Sequence, residues 1–244
     1  MNFDKTEAMF RKLNECRPLT AGEVKRLRDE FLIEFTYNSN AIEGNTLTLR
    51  ETALILNQGI TIGEKPLKDH LEVIGHKDAY FYVEDLVKQK IPLSEKIIKE
   101  IHSMVLMDKP QDKGLYRSVP VRIMGAVHTP PEPWAVPIQM EQLMAEYESW
   151  NDDLHLIERA ALFHLKFEGI HPFIDGNGRT GRLLLNLELM KEGYPAINVK
   201  FADRRKYYEC FTAYDQSGGN PKAMVELVRE YVEEAINKYF IILE

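Results

Sequence analysis

The residues of this chain with the greatest chemical potential lie in one run of twelve positions, His171-Pro-Phe-Ile-Asp-Gly-Asn-Gly-Arg-Thr-Gly-Arg182. A histidine with an unperturbed pKa of about 6.5 can be neutral at physiological pH and can take a proton from a hydroxyl. Asp175 offers a hard oxygen ligand suited to Mg²⁺, which usually binds one or two carboxylates together with water and substrate phosphates. Arg179 and Arg182 share one face of a helix and can form forked hydrogen bonds to phosphate oxygens. These residue types predict transfer of a phosphorus-linked group from a nucleotide.

The glycines of this run predict how an anion is bound. Gly176, Gly178 and Gly181 lack the Cβ atoms that would keep an anion away from the backbone. Apolar residues at helical spacing occupy residues 156–170, and a second apolar helix is predicted over residues 182–190. The N–H groups at a helix start attract anions. We therefore predict a glycine-rich turn between two core helices that holds a phosphate.

Two other interpretations of the run compete with phosphate binding. The glycines also fit the Gly-x-Gly-x-x-Gly pattern of dinucleotide-binding proteins, but that pattern follows a β-strand, and helical periodicity precedes Gly176 here. A purely structural connection between helices would leave two arginines, an acid and a histidine beside apolar helices, where buried charge needs partners. Nucleotide binding by the turn is the favoured interpretation.

The run resembles the signature of the Fic domain, His-Pro-Phe-x-Asp/Glu-Gly-Asn-Gly-Arg-x-x-Arg, at every specified position. The resemblance implies an all-α domain, a helical bundle around a core helix-loop-helix, that moves AMP from ATP to a hydroxyl side chain of a protein and releases pyrophosphate. By position, His171 is the base, Asp175 holds Mg²⁺ and Arg182 engages the γ-phosphate. The toxin-type branch that phosphorylates its targets has a lysine-containing loop, so this loop favours AMP transfer. The remaining nucleotide contacts implied by the resemblance come from Gly176, Asn177, Gly178, Arg179, Thr180 and Gly181.

A second stretch, Ser39-Asn-Ala-Ile-Glu-Gly-Asn45, resembles the Fic inhibitory motif Ser/Thr-x-x-x-Glu-Gly/Asn. The resemblance implies that Glu43, between Ser39 and Gly44, pairs with Arg182. A carboxylate there would remove a γ-phosphate partner and misalign or weaken ATP binding. The chain is thus similar to the class with an N-terminal inhibitory helix, here about residues 30–44. Members of that class can also remove AMP, which this sequence leaves open, and so short a motif taken alone equally fits a solvated carboxylate at a helix end.

Residues near Gly125 predict a small β-hairpin, because β-branched side chains precede that glycine and a proline cluster follows. The resemblance implies that the hairpin is a flap beside the active site that holds the target segment by strand pairing. An ordinary surface hairpin is the alternative. The predicted flap residues are Val121, Arg122, Ile123, Met124 and His128.

An aromatic segment follows the second core helix. The resemblance implies that Tyr207, Tyr208 and Phe211 flank adenine and that Asp215 accepts a hydrogen bond from its exocyclic amine. Relatives often have asparagine at the position of Asp215, so the aspartate puts the contact with adenine in doubt. An aromatic stripe at this spacing also fits a helix face packed in the core.

The length, composition and charge of the chain limit the number of domains and the kinds of partner. The chain has 244 residues, 44% of them hydrophobic, and a net charge of −7. We predict one domain over residues 1–244 with its core at about 94–220, no nucleic-acid or membrane partner, and a cytoplasmic location. Thr20, Thr48 and Ser94 are predicted helix caps.

The sequence leads to the hypothesis of an autoinhibited protein adenylyltransferase. Its cofactors would be ATP and Mg²⁺, and its partner an unidentified protein substrate, with self-modification also open. Two alternatives are retained. One is transfer of a different phosphoryl or nucleotidyl group by the same base, and the other is a module that senses nucleotide without catalysis.

Overall fold

The computed structural model describes residues 1–123, 128–150 and 154–243. Within them the chain forms ten α-helices and no β-strand, which confirms the predicted all-α class. The helices are α1 (Asp4–Glu15), α2 (Ala21–Ile42), α3 (Leu49–Gln58), α4 (Leu67–Gln89), α5 (Glu95–Val105), α6 (Val136–Ser149), α7 (Leu156–Ile170), α8 (Asn177–Lys191), α9 (Arg204–Gln216) and α10 (Lys222–Leu243).

The predicted caps begin three of these helices. Thr20 and Thr48 each accept a hydrogen bond from the backbone N–H three residues later, and the glutamate there accepts one from the N–H of the cap residue. Ser94 accepts a similar bond at the start of α5. Each cap satisfies an N–H group that the helix itself leaves unpaired, which fixes where these helices begin.

The centre of the fold is the antiparallel pair α7 and α8. Helix α8 packs against α7 and also against α2, α4 and α5, while α7 packs against α6 and α10. Leu184 and Leu187 of α8 enter one hydrophobic cluster, formed with α4 to α7, and Leu185 and Leu189 enter a second, formed with α9 and α10. Because both sides of α8 are buried, its position is fixed from several directions.

Helix α8 begins at Asn177, five residues before the predicted start at Arg182. The side chain of Asn177 accepts a hydrogen bond from the N–H of Phe173 and donates one to its carbonyl, each at 2.9 Å. Gly176 has a left-handed φ of 76°, which turns the chain into the helix. The residues from Asn177 to Arg182 are therefore helical, where the sequence predicted a turn.

The predicted hairpin is not formed as strands in the part of the chain that the structure describes. Residues 121–123 and 128–130 have no regular secondary structure, and Met124 lies outside the described residues. An isolated two-stranded ribbon is marginally stable. The segment is instead held to the helical body by single contacts, described below.

No helix among the described residues combines the length and apolar character needed to cross a membrane.

Replacing Ile98 by alanine is expected to destabilise the fold by about 2–5 kcal/mol. Ile98 is fully buried in the first cluster, so the change leaves a cavity between helices. Ile138→Ala is the matched control, because Ile138 is 51% exposed and its loss should cost less than about 0.5 kcal/mol. Urea unfolding of both variants checks the difference, and equal losses would contradict the packing described.

Candidate active site

The turn between α7 and α8 is held by contacts from α5. His102 accepts a hydrogen bond from the N–H of Gly114 at Nδ1, so its Nε2–H donates to the carbonyl of Asp175, 2.9 Å away. The His102 ring also stacks on Phe173, with ring centroids 3.6 Å apart. His102 adds a polar support beneath the turn.

His171 ends α7 in a left-handed conformation with a φ of 50°. This conformation is unusual for a residue with a Cβ and must be held by its surroundings. Arg117 holds it, because its Nε donates to the carbonyl of His171 at 2.8 Å and its backbone N–H to that of Pro172 at 2.9 Å. Burial lowers the pKa of His171 to about 4, so the ring is neutral at physiological pH and can accept a proton.

Arg182 is buried and is bound by the end of α2. Its Nη2 donates to Glu43 Oε1 at 2.8 Å and to the carbonyl of Ser39 at 2.7 Å, and its Nε donates to the Ser39 hydroxyl. Burial alone would lower the pKa of Arg182, but the Glu43 carboxylate raises it. The pair predicted from the sequence is therefore present, and Gly44, with a φ of 95°, turns the chain away after it.

Gly178 makes room for this pair. A Cβ at Gly178 would lie 2.2 Å from Oε1 of Glu43 and 3.1 Å from Nη1 of Arg182. That Nη1 is buried and has no hydrogen-bond partner among the described residues. A buried, unpaired guanidinium N–H beside a glycine is an available donor for an anion.

Arg179 is also buried, and its carboxylate partner comes from α4. Its Nη1 lies 3.2 Å from Oε1 of Glu72, whose other oxygen accepts a hydrogen bond from Asn45 at 2.9 Å. Both arginines of the signature are thus paired with carboxylates from the first third of the chain. Asn45 directly follows Gly44, so the segment that carries Glu43 is also connected to Arg179.

Asp175 projects at the start of α8. One oxygen accepts the N–H of Gly176 at 2.6 Å and the other accepts from Lys109. Burial would raise the pKa of Asp175, but Lys109 and Arg179 lower it overall, so the side chain is a carboxylate. Across the described residues, no cluster of three or more His, Cys, Asp or Glu side chains could hold a metal ion. A single carboxylate fits Mg²⁺ that takes its other ligands from phosphates and water.

The predicted adenine residues occupy different environments on α9. Tyr207 is buried beneath Arg182, with its hydroxyl 2.7 Å from Nε2 of His164. Tyr208 is 39% exposed, and its hydroxyl donates to the carbonyl of Ile42 at the end of α2. Phe211 is half-buried against the ring of Tyr207. Tyr208 and Phe211 are thus the accessible aromatic groups of this segment, while Tyr207 lies in the interior.

One of the predicted flap residues, His128, contacts the end of α7. Nε2 of His128 is 2.7 Å from the carbonyl of Gly169, and its Nδ1 is 3.9 Å from Asp215. Val121 and Ile123 are half-buried and Arg122 is exposed. Arg117 also donates to the carbonyl of Pro131, which ties the far end of this segment to His171. The structure thus brings together the predicted flap and the predicted end of the adenine segment.

Comparisons with known proteins agree with this geometry. The profile of the Fic/DOC family matches residues 92–189. A Fic domain containing signaling protein from Bacteroides thetaiotaomicron VPI-5482 has the same fold, with a TM-score of 0.89, 31% identity, and coverage of 97% of this chain and 95% of that one. This chain belongs to the Fic family.

Other Fic proteins match over most of the chain. The Fic-1 structure from C. elegans (aa134 - 508) has a TM-score of 0.86 and 30% identity, covering 98% of this chain and 71% of that one. The "Protein adenylyltransferase Fic" of Nematostella vectensis is 36% identical to this chain, and the match covers 96% of this chain and 56% of the relative. The protein of the same name from Drosophila melanogaster is 34% identical, and the match covers 89% of this chain and 44% of the relative. The chain spans about half the length of these curated relatives.

The contacts of four residues around the signature could not be predicted from the sequence, because their partners are distant in the chain. His102, Lys109, Arg117 and Glu72 contact residues of the signature more than fifty positions away. Of the four residues, only Glu72 could have been found from the sequence. It lies between the apolar residues Leu71 and Val73, and a carboxylate that is buried there needs a partner.

Acid is expected to destabilise this Fic domain through its buried histidines. Burial lowers the pKa of His102 and His171 to about 4 and that of His164 to about 3, from an ordinary value of 6.5. Between pH 6.5 and about 4 the unfolded chain binds more protons, so the free energy of unfolding falls as the pH falls. The slope is about 1.4 kcal/mol per pH unit for each histidine within its window.

One buried carboxyl opposes this trend. Burial raises the pKa of Glu168 to about 8, so its protonation stabilises the folded state as the pH falls from 8 towards 4.5. Three histidines outweigh it, and a net loss of stability is expected. Urea unfolding at pH 7.5, 6 and 5 checks this, and a stability at pH 5 equal to or above that at pH 7.5 would contradict it.

Proposed function

We propose that this protein is an adenylyltransferase that moves AMP from ATP to a hydroxyl side chain of another protein and rests in an inhibited state. The observation that carries the proposal is the state of Arg182. Its Nη1 is a buried donor that makes no hydrogen bond to any residue the structure describes, and its Nη2 is bound by Glu43. The first feature suits a phosphate, and the second competes with that phosphate.

The reaction follows from the residues around the turn. The target hydroxyl would attack the α-phosphorus in line, forming an O–P bond while the bond to pyrophosphate breaks. His171, which is neutral, would take the hydroxyl proton. The N–H groups at the start of α8, with Arg179 and Arg182, would stabilise the developing charge on the phosphates. Asp175 would hold Mg²⁺, which supplies charge neutralisation when bound.

Inhibition follows from the same geometry. With Glu43 on Arg182, the γ-phosphate loses its partner and meets a carboxylate, so ATP binds weakly or with its α-phosphorus misplaced.

The proposal also divides the chain into an inhibitory helix and a Fic core. The inhibitory helix extends from Ala21 to Ile42. Tyr208, Phe211 and Asp215 would contact adenine, and the segment around His128 would position the target. Removal of AMP, self-modification and a cytoplasmic location stay predictions from the sequence.

The experiment that tests the proposal compares two labelled forms of ATP. The protein and its Glu43→Gly variant are incubated with a cell extract, Mg²⁺ and ATP labelled at the α- or the γ-phosphate. Relative to the extract alone, added transfer of the α-label to protein, without added transfer of the γ-label, is expected. Added transfer of the γ-label would identify a kinase, and ATP binding without any added transfer would favour a nucleotide-sensing module.

Replacing Asp175 by asparagine is expected to lower Mg²⁺-dependent transfer by about 100-fold in the Glu43→Gly background, because neutralising the carboxylate removes its charge from the metal site. The matched control is Asp78→Asn on α4, where the carboxylate is on the surface beside Lys77. Initial rates at several Mg²⁺ concentrations check the prediction. An unchanged rate and an unchanged Mg²⁺ dependence would remove Asp175 from the metal site.

A further inference from the structure

Three polar residues lie along one side of α7 and all are turned inward. His164 and Glu168 are four residues apart and share one face of α7, and His171 directly follows the last residue of the helix. His164 and Glu168 are buried, and the ring of His171 is mostly so. The proposed reaction uses only His171. Glu168 is a buried carboxyl without an assigned role.

Glu168 faces the buried ring nitrogen of His171. Its Oε2 lies 3.8 Å from Nδ1 of His171. Nδ1 of His171 and Oε1 of Glu168 are both buried, and neither makes a hydrogen bond of good geometry to a described residue. A neutral imidazole carries its proton on only one nitrogen, so the partner of Nδ1 decides whether Nε2 is free to act as a base.

We propose that Glu168 is a positioning residue: its carboxyl oxygen accepts the Nδ1–H of His171 and thereby keeps Nε2 unprotonated for the target hydroxyl. The inference rests on the proposed role of His171 as the base. The present 3.8 Å is longer than a hydrogen bond. Contacts of this kind are often long in resting enzymes and shorten when substrate is bound, and here the site is still held by Glu43.

The signature itself makes room for this carboxyl. A Cβ at Gly181 would lie 2.3 Å from Oε1 of Glu168, so only glycine allows the carboxyl to occupy its position. The charged groups that act on Glu168 are Glu43 and Arg182. Burial, assisted by Glu43, raises the pKa of Glu168 to about 8, which leaves it mostly protonated at neutral pH. A protonated carboxyl still has a carbonyl oxygen that accepts a hydrogen bond, as the amide of glutamine does.

A competing partner for Nδ1 is the main-chain carbonyl of Glu168. Burial is the main influence on the pKa of His171 and lowers it, but this carbonyl is close enough to raise it. Substitution of the Glu168 side chain distinguishes the side-chain carboxyl from the main-chain carbonyl as the partner of Nδ1, because it leaves the main-chain carbonyl in place. Glutamine preserves an acceptor of the same size, whereas leucine removes it.

The experiment compares Glu168→Gln and Glu168→Leu in the Glu43→Gly background. Nitrogen-15 NMR of the His171 ring reports the tautomer, and steady-state kinetics give kcat and KM for ATP. With leucine we expect loss of the Nδ1–H tautomer and a fall in kcat of at least about tenfold, with KM for ATP changed less than about twofold. With glutamine the tautomer should persist and kcat stay within about threefold. Glu158→Leu, at the start of α7, is the matched control.

Two results would overturn the inference: a leucine variant that keeps the Nδ1–H tautomer, or a glutamine variant that loses it. If the leucine variant does not fold, Gly181→Ala replaces it, because the added Cβ displaces the same carboxyl and should change the tautomer likewise. If the Glu43→Gly parent transfers no AMP at all, the proposed function fails, while the NMR measurement still decides the role of Glu168.

Discussion

Replacing Glu43 by glycine is expected to raise the rate of AMP transfer by about 10- to 100-fold. The variant removes the carboxylate from Nη2 of Arg182 and returns both guanidinium nitrogens to the γ-phosphate. A hydrogen bond between charged groups contributes about 1.5–3 kcal/mol, and each 1.4 kcal/mol is about a tenfold change. Initial rates with α-labelled ATP check the prediction.

The fold should survive this change. Arg182 keeps its bonds to the hydroxyl and the carbonyl of Ser39. Glu64→Gly is the matched control, because Glu64 is exposed and has a left-handed φ of 64°, which glycine adopts freely. An increase with the control as large as that with Glu43→Gly, or none with either, would show that the Glu43–Arg182 pair does not restrain the reaction.

Replacing His171 by alanine in the Glu43→Gly background is expected to lower transfer by about 10²- to 10⁴-fold, the contribution of a positioned general base. Affinity for ATP should stay unchanged, because the predicted phosphate contacts come from α8 and not from the imidazole. Calorimetry with ATP and rates with α-labelled ATP measure the two effects separately.

His155→Ala is the control for the loss of an imidazole. His155 lies at the opposite end of α7 and contacts Glu7 and Phe3 of the N-terminal segment. Its replacement should change stability and not the rate of transfer. If His171→Ala keeps most of the activity, another group takes the proton and the proposed mechanism is wrong.

Local sequence patterns identified the signature and its contact with Glu43, but not the residues from distant elements that surround the signature. The twelve-residue signature and Glu43 are local patterns, and the pair that they predict, Glu43 with Arg182, is present at 2.8 Å. The start of α8 was predicted too late because glycines suggested a turn. The amide of Asn177 closes that turn on Phe173, and the helix begins at once.

Other features required tertiary contacts that no local pattern encodes. Arg117 binds the carbonyls of His171 and Pro131, and Glu72 joins Asn45 to Arg179. Each contact connects elements that are remote in sequence, so spacing cannot reveal it. For Tyr207, the sequence suggested a ligand contact where the structure shows a buried side chain. Its position in an aromatic segment suggested contact with adenine, while the structure buries it between Arg182 and His164.

The mass added to the modified side chain distinguishes AMP transfer from phosphorylation. The Glu43→Gly variant is incubated with Mg²⁺, ATP and a cell extract, and modified peptides are identified by mass spectrometry. We expect one AMP on a hydroxyl side chain, absent when His171 is also replaced by alanine. A phosphate alone on that side chain, or AMP that persists without His171, would contradict it.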